Sequence, residues 1–345
     1  MSNHLLIKAC NREEVSRTPV WLMRQAGRYM QEYREIKKKH TFLEMCKNPR
    51  LVAEITIQPI KKLGVDAAIL FSDILIPVEA MGANLEYQKT GGPKIHNPIR
   101  TAEAVDALKT PDPDVDTPFV GEGIKKTKEL LKDKVPLIGF SGAPFTLASY
   151  MIEGGGSRNY ENTKAMMYNN PETYKALMDK ITDTLIPYLN AQTEAGAEAM
   201  QLFDSWVGCM TPQDYEKYVL PYTKKVIKGI DDQTPLIHFA TGASTLLELM
   251  KKAGGDIIGI DWRINLNKAW KRIGYDTGIQ GNLDPTALLG PTQEIEKRVK
   301  DILKRAENRP GHIFNLGHGI LPQTPVDHAV AMVKYVKKWS KREHG

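Results

Sequence analysis

The sequence predicts an α/β fold, a (β/α)₈ TIM barrel formed by a single domain over residues 1–345. Eight short runs rich in apolar and β-branched residues alternate with longer segments of helical period. The short runs are apolar throughout, which is typical of parallel strands covered by helices on both faces. A doubly wound open sheet remains the alternative, because the closure of a sheet cannot be read from a sequence.

The strands and helices follow one another along the whole chain. The predicted strands begin at Pro19 (PVWLM), Ala67 (AAILF), Pro136 (PLIGF), Ala199 (AMQLF), Pro235 (PLIHF), Asp256 (DIIGI), Thr277 (TGIQG) and His312 (HIFNL). The predicted helices are Asn48–Leu63, Pro171–Ala195, Pro212–Gly229, Ala243–Ala253, Pro291–Arg305 and Pro325–Lys341. Several of these helices begin with proline and end near glycine, as helix termini prefer.

Composition indicates an ordinary globular enzyme with one large core. The chain has 345 residues, of which 41% are hydrophobic and 26% charged. No apolar run reaches the roughly 18 residues that cross a bilayer, and the first residues lack an export pattern. Cys10, Cys46 and Cys209 form no CxxC pair and no disulfide framework. We therefore expect a cytoplasmic protein that does not act at a membrane.

The net charge limits the class of partner. It is +6, from 47 basic and 41 acidic residues, an excess that favours an anionic small-molecule substrate. This excess is too small for a nucleic-acid-binding protein. The densest basic run, residues 37–40, is interpreted as the solvated end of a helix.

Polar residues occur at or just after the ends of the predicted strands. They are Arg24, Asp73, Ser141, Asp204, Ser205, Thr241, Asp261, Asn282 and His318. In a barrel the carboxyl ends of the strands surround one mouth, where active sites lie. Taken alone the pattern is weak, because loops after strands are usually polar.

The segment PVWLMRQAGRY places Arg24 and Arg28 beyond an apolar run. Four residues apart, they share a face if the segment is helical there. Paired guanidinium groups bind carboxylates or phosphates through bidentate, charge-assisted hydrogen bonds. The alternative is a pair of surface arginines that cover a helix.

The remaining candidates each have a structural alternative. Asp73 is a charge within an apolar stretch, either a functional anion or a satisfied structural acid. Tyr150 and a triple glycine follow the strand PLIGF, which favours a mobile loop over the mouth, although a lone tyrosine is more often packed. Ser205 lies in LFDSW, which is not a GxSxG elbow. His318 lies between two glycines that allow close approach of a backbone or ligand, or is a turn histidine.

Five segments in this order resemble the uroporphyrinogen decarboxylase family over nearly the whole chain. They are PVWLMRQAGRY, FSDIL, GFSGAPFTLASYMIEGGGS, LFDSW and NLGHG. The resemblance implies a (β/α)₈ barrel, usually a homodimer, that acts as a carboxy-lyase in haem and porphyrin biosynthesis. Such enzymes convert uroporphyrinogen III to coproporphyrinogen III by turning four acetates into methyls, without metal or organic cofactor.

The resemblance also implies the functional positions, which carry over motif by motif. The implied catalytic residues are Asp73, Arg24 and Tyr150, and the implied substrate-binding residues are Arg24, Arg28, Asp73, Tyr150, Ser205 and His318, with no metal ligand. Position 206 is Trp where some relatives have His, so a catalytic role for that position is doubtful.

Two other functions compete with this interpretation. A zinc- and corrinoid-dependent methyltransferase shares the barrel but needs an HxC pair and a later Cys. This chain has His238-Phe239-Ala240 and His318 instead, which disfavours a thiolate zinc site. A non-catalytic tetrapyrrole carrier would keep the arginines but would not need Asp73.

Overall fold

The computed structural model describes residues 3–88 and 92–342, and its centre is a curled sheet of seven parallel strands. The sheet order is β1-β4-β5-β6-β7-β8-β9. These strands are β1 Ala68–Ile69, β4 Leu137–Gly142, β5 Ala199–Asp204, β6 Leu236–Ala240, β7 Ile257–Gly259, β8 Gly278–Gln280 and β9 His312–Ile313. Seven of the eight predicted strands are therefore present, and they are parallel as expected.

Helices surround this sheet. They are α1 Leu5–Cys10, α2 Gln31–Lys37, α3 Phe42–Lys47, α4 Pro49–Leu63, α5 Ile76–Ala80, α6 Ala102–Asp106, α7 Pro113–Asp116, α8 Pro118–Leu131, α9 Pro144–Glu153, α10 Glu161–Asn169, α11 Pro171–Glu194, α12 Pro212–Tyr218, α13 Leu220–Gly229, α14 Leu247–Ala253, α15 Leu266–Ile273, α16 Thr292–Ala306 and α17 Val326–Trp339. Short 3₁₀ turns span Val207–Cys209 and Pro285–Leu289. Within the described part of the chain, no helix combines the length and apolarity that a membrane span requires.

Buried amide side chains show that the sheet is curled. The Gln280 amide on β8 donates to Gln201 Oε1 on β5 at 3.0 Å, and the Trp21 indole donates to Gln280 Oε1 at 2.9 Å. Strands β5 and β8 are three positions apart in the sheet, so these side chains meet across its concave face. Gln201 therefore marks the inner face, and every second residue of β5 points the same way.

The first predicted strand, PVWLM, forms only a bridge. Val20 pairs in parallel with Phe314, the residue after β9, and its carbonyl accepts from the Asp66 amide at 2.8 Å. Pro19 has no N–H to donate, and Arg24 takes a left-handed φ of 61°, so no regular ladder extends here. The segment nevertheless lies between β9 and the residues that lead into β1.

The long predicted helices are confirmed to within a few residues, with one exception. In α4, Asn48 caps the first turn by accepting from the Arg50 and Leu51 amides, and Gly64 ends the helix at φ 69°. The single helix predicted over Pro212–Gly229 is instead two helices, α12 and α13, that part at Val219. Pro221 explains the break, because it cannot donate to the preceding turn.

A β-hairpin that the sequence analysis missed connects β1 to β4. Its strands are β2 Leu85–Tyr87 and β3 Pro93–Ile95, which pair antiparallel. The hairpin also contacts the glycines after α9, since Ile95 N donates to the Gly154 carbonyl at 2.9 Å and Lys94 bridges Gly155. The triple glycine thus caps α9, where Gly154 has φ 81°, and pairs with the hairpin. The loop predicted at this position begins at the end of α9 and is bridged to the hairpin, and its mobility stays a prediction.

Candidate active site

The carboxyl ends of the parallel strands bring the predicted residues to one edge of the sheet. Asp73 follows β1, Tyr150 lies on α9 just after β4, Ser205 follows β5, and His318 follows β9. Arg24 follows the bridging residue Val20. The sequence therefore predicted correctly which end of the sheet these residues occupy.

A row of aromatic rings lines the inner face beside this edge. Phe203 lies two residues after Gln201 and so points into the concave face. Its ring centroid is 5.5 Å from Phe140 on β4 and 6.0 Å from Phe239 on β6. Phe239 in turn lies 6.5 Å from the His318 ring. The result is an apolar wall that ends at an imidazole.

Asp73 is partly buried, and its Oδ1 accepts from the Leu75 amide at 2.8 Å. Burial raises the pKa of Asp73, whereas the neighbouring Tyr87 hydroxyl, the Leu75 amide and the Arg24 guanidinium oppose that rise. A carboxylate has about four lone pairs, so Asp73 keeps acceptor capacity for a donor from a ligand.

Tyr87 on the hairpin lies beside Asp73, and sequence reasoning missed it. Its ring packs on Phe42 with centroids 4.7 Å apart, and its hydroxyl is buried without a hydrogen-bond partner in the described part of the chain. Burial and then the Asp73 carboxylate raise the pKa of Tyr87, so the hydroxyl keeps its proton. A strand of three residues has too little periodicity to be recognised, so Tyr87 could not be identified from a sequence pattern.

Arg24 and Arg28 lie on turns instead of a helix, which corrects the expectation that they share a helical face. The left-handed φ of Arg24 excludes a helix at that point. The buried Gln25 amide fixes the turn, because it accepts from Leu22 N at 3.1 Å and donates to the Ala67 carbonyl at 3.0 Å. Both arginine side chains are exposed, and among the described residues neither pairs with a carboxylate.

The two arginines have different neighbours. The Arg24 charge acts on the pKa values of Asp73, Tyr150 and His318, so its guanidinium lies among them. The Arg28 charge acts instead on Tyr33 of α2. The structure therefore brings Arg24 into the central group and places Arg28 further along the rim.

Tyr150 lies in an aromatic cluster on α9. Its ring centroid is 5.8 Å from that of Trp206, which also lies 5.9 Å from Tyr160. Burial and the Asp73 carboxylate raise the pKa of Tyr150 to about 12, and a hydrogen bond from the Trp206 side chain acts in the opposite direction. Tyr150 is therefore a neutral donor at physiological pH, and Trp206 orients it.

A buried hydrogen-bonded link joins α9 to the loop after β5. Thr146, one turn before Tyr150, donates its hydroxyl to Asp204 Oδ1 at 3.1 Å, and the Trp206 amide donates to the same hydroxyl at 3.3 Å. Asp204 is fully buried and lies 3.9 Å from His238 on β6, so it faces the helices and not the mouth. The pair of Thr146 and Asp204 thus sets the position of Ser205 relative to Tyr150. Sequence reasoning did not identify Thr146, because a threonine within a helix carries no functional pattern.

His318 is neutral, and its hydrogen bond fixes the tautomer. Its Nδ1 accepts from the Gly319 amide at 2.6 Å, which leaves the proton on Nε2. Burial and the charges of Arg24 and Arg263 lower the pKa of His318 to about 4. The flanking glycines are needed as predicted, since a Cβ on Gly319 would lie 2.4 Å from Arg24 Cδ.

Within residues 3–88 and 92–342, one group of side chains has the spacing of metal ligands, and it lies at the other end of the sheet. It consists of His4, Asp133 and Glu198, and Glu198 directly precedes β5. Lys128 Nζ lies 2.6 Å from Glu198 Oε2, so a lysine already neutralises this carboxylate. The group is far from the strand ends that carry Asp73 and His318.

Sequence and structure comparisons give a consistent assignment. A family profile described as uroporphyrinogen decarboxylase (URO-D) matches residues 1–339. A protein named uroporphyrinogen decarboxylase from Carboxydothermus hydrogenoformans is 55% identical over 339 residues, 98% of this chain and 97% of that protein. Another of that name from Geobacter sulfurreducens is 54% identical over 341 residues, which cover 99% of this chain and 100% of the relative.

A solved structure supports the fold. A methyltransferase from Methanosarcina mazei superposes with a TM-score of 0.82 at 22% identity, covering 97% of each chain. That identity is low enough that the similarity informs the fold alone. The match of the family profile and the identity to the two named relatives together show that the chain belongs to the uroporphyrinogen decarboxylase family.

Proposed function

We propose that this chain removes CO₂ from the four acetate side chains of uroporphyrinogen III to give coproporphyrinogen III, without metal or organic cofactor. The observation that carries the proposal is the arrangement at Asp73. The partly buried Asp73 carboxylate keeps acceptor capacity for a ligand, and its charge is coupled to the Arg24 guanidinium and to the neutral phenol of Tyr150. Family membership and the two named relatives support the same reaction.

Asp73 is the electrostatic centre of the proposed mechanism. Its carboxylate accepts hydrogen bonds from the pyrrole N–H groups of the macrocycle. Protonation of a ring carbon makes a pyrrole cationic, and the carbon–carbon bond to the carboxylate then breaks as its electrons flow into that cation. CO₂ leaves, a second proton converts the methylene to a methyl, and loss of the first proton restores the pyrrole. A fixed carboxylate offsets the transient positive charge without reorganisation.

Arg24 and Tyr150 supply the ring proton in this proposal. Both lie beside Asp73, and the phenol of Tyr150 keeps its proton because its pKa is raised to about 12. The cation formed is stabilised by Asp73, so a weak acid is sufficient. Arg24→Lys is expected to lose most activity, because lysine keeps the charge but not the planar donor geometry; a variant with near-normal turnover would contradict this role.

Arg28, Ser205 and His318 bind the substrate. Arg28 offers an exposed guanidinium to a side-chain carboxylate. His318 donates from Nε2, since its Nδ1 already accepts from Gly319 N. Ser205 adds a hydroxyl just after the end of β5.

We further propose that residues 1–345 form one closed (β/α)₈ barrel that assembles as a homodimer in the cytoplasm. Val20 supports closure, because it pairs with Phe314 on one side and accepts from Asp66 N, next to β1, on the other. Family membership supports the dimer. Sedimentation of the purified chain tests it, and a monomer at micromolar concentration would contradict it.

The experiment that tests the activity is an incubation with uroporphyrinogen III, followed by oxidation and separation of the porphyrins by carboxyl number. We expect products with seven, six, five and finally four carboxyls. The competing function is a tetrapyrrole carrier, which would bind the substrate and return it with all its carboxyls.

A further inference from the structure

An arginine outside the predicted set lies at the same end of the sheet. Arg263 follows β7, and its side chain is 50% exposed. Asp261, which is nearly buried, accepts from Gly242 N at 2.7 Å and from Arg263 N at 3.0 Å, and it also pairs with Arg263 Nη1. The guanidinium stacks on the Trp262 ring at 4.2 Å. The carboxylate and the indole together hold the guanidinium in one orientation.

The Arg263 loop packs directly against the His318 loop. A Cβ on Gly317 would lie 2.5 Å from Trp262 N, so the two backbones are in close contact. Asn282 at the end of β8 secures the loop, because its amide donates to the carbonyls of Asp261 at 2.8 Å and Ile264 at 2.7 Å. Arg263 therefore lies on a loop that is packed against the His318 loop at the carboxyl end of the sheet.

The positive charge of Arg24 and Arg28 lies on one side of this end of the sheet, and that of Arg263 lies on another. His318 is neutral and contributes no positive charge to this side of the mouth. Arg24 and Arg28 both belong to the segment after Val20, whereas Arg263 follows β7, which lies four positions from β1 in the sheet. Uroporphyrinogen carries eight carboxylates spread around a ring, and one short segment cannot contact carboxylates on every side of it.

We infer that Arg263 binds a side-chain carboxylate of the tetrapyrrole, on a different side of the ring from Arg24 and Arg28; this inference rests on the proposed function. The Asp261 carboxylate accepts from Nη1 of Arg263. In the described part of the chain, the N–H groups of Arg263 Nη2 and Nε have no partner. Those groups form a planar fork that matches a carboxylate. Trp262 and Asp261 fix the fork before the ligand arrives, which lowers the entropy cost of binding.

Steady-state kinetics of Arg263→Gln and Arg263→Lys test this inference. For Arg263→Gln we expect KM for uroporphyrinogen to rise about 10- to 50-fold with kcat within about twofold of wild type, because the contact exists in both ground and transition states. Arg263→Lys keeps a point charge and the partner of Asp261, so we expect a rise of about 3- to 10-fold. The matched control is Arg272→Gln, which removes an arginine that pairs with Glu248 on the outer helices and leaves KM unchanged.

A binding measurement separates this inference from the proposed function. Quenching of uroporphyrin fluorescence reports affinity without turnover, and we expect the same order of wild type, Lys and Gln. If wild type binds uroporphyrin but releases no CO₂ from uroporphyrinogen, the proposed function is wrong. If the folded Arg263→Lys and Arg263→Gln proteins match wild type in both KM and affinity, or lose kcat at unchanged KM, the carboxylate contact is wrong.

Discussion

The two ends of the parallel sheet use the same charged residue types in opposite ways. At the amino end, Asp66 before β1 forms two 2.6 Å contacts with Arg17 and accepts from Val20 N, and Glu198 before β5 pairs with Lys128 and accepts from Leu137 N. At the carboxyl end, Arg24 has no carboxylate partner among the described residues. These charges are matched at the amino end, whereas at the carboxyl end Arg263 pairs with Asp261 and Arg24 is left without a carboxylate partner among the described residues.

This difference shows how the fold separates stability from function. A carboxylate that accepts a backbone N–H and a cation is satisfied and fixes the start of a strand. An exposed guanidinium without a carboxylate partner adds little to stability, and it remains free to bind an anionic group of a ligand. The amino end therefore secures the start of the strands, and the carboxyl end carries the binding site that we propose for an anionic ligand.

The largest expected effects come from replacing one aspartate at each end of the sheet with asparagine. Asp73→Asn is expected to lower kcat/KM about 100- to 1000-fold with little change in stability, because it removes a preorganised electrostatic partner worth ~3–4 kcal/mol of barrier. Asp66→Asn is expected to lower the free energy of unfolding by about 2–4 kcal/mol and to leave kcat/KM of the folded protein unchanged. Activity assays and urea unfolding measure both. If Asp73→Asn and Asp66→Asn changed kcat/KM and the free energy of unfolding equally, the two ends of the sheet would not differ in role.

The contact between Gly319 and Arg24 tests how finely the carboxyl end is arranged. In Gly319→Ala the new Cβ would lie 2.4 Å from Arg24 Cδ, so this flexible side chain must move while the backbone stays in place. We expect kcat/KM to fall about 10- to 100-fold with nearly unchanged melting temperature. Gly121→Ala on α8 is the control, since its Cβ meets Ala195 at an ordinary 3.7 Å. Normal kinetics of Gly319→Ala would show that Arg24 needs no fixed position.

Breaking the hydrogen-bonded link between α9 and the loop after β5 should have a smaller effect on stability and kcat. A conservative substitution that keeps the hydroxyl should largely avoid this effect. Thr146→Val leaves Asp204 Oδ1 and the Trp206 amide without their partner. We expect a loss of about 1–3 kcal/mol in stability and about tenfold in kcat, both largely restored in Thr146→Ser, which keeps the hydroxyl. The measurements are urea unfolding and kcat. If the Val and Ser variants have equal kcat, the hydroxyl does not position the site.

Two histidines lie one near each end of the sheet. We expect both to affect the pH dependence of stability and only one of them to affect KM. His312 at the start of β9 and His318 both have a pKa lowered to about 4 by burial, from 6.5. Between these pKa values the unfolded chain binds more protons than the folded chain. Each neutral histidine therefore contributes fully to the free energy of unfolding above about pH 6.5, and this contribution is lost as the pH falls toward about 4.

Each histidine should therefore add at most about 1.4 kcal/mol per pH unit to the acid dependence of unfolding. We expect His312→Gln and His318→Gln each to flatten that dependence, measured by urea unfolding from pH 4 to 7. Only His318→Gln should also raise KM, because only that imidazole lies at the mouth. A normal KM for His318→Gln would place His318 with the structural residues.

The fold was predictable where the periodicity was long and uniform. Apolar runs identified β4 and β6, and proline and glycine marked the ends of long helices such as α11. The fold was not predictable where local geometry was decisive. The left-handed Arg24 directly follows the first predicted strand, which forms only a bridge, and the three-residue strands of the hairpin fall below the length that a period requires.

The candidate site was predictable in part. The motifs placed all six expected residues at the correct end of the sheet, and their roles remain predictions. The residues that were missed, Tyr87, Thr146 and the Arg263 loop, come to this end of the sheet through contacts between segments distant in sequence. Such contacts depend on three-dimensional packing, and a single sequence holds no record of which segments will touch.

The hairpin of β2 and β3 has a consequence for how this enzyme can be modified. It is inserted between β1 and β4, which pair with each other directly, so it can be exchanged without interrupting the sheet. It contacts both the Asp73 side, through Tyr87, and the end of α9 that follows Tyr150, through Gly154 and Gly155. Hairpins transplanted from relatives would therefore change the surroundings of Asp73 and Tyr150 together while the pairing of β1 with β4 stays in place.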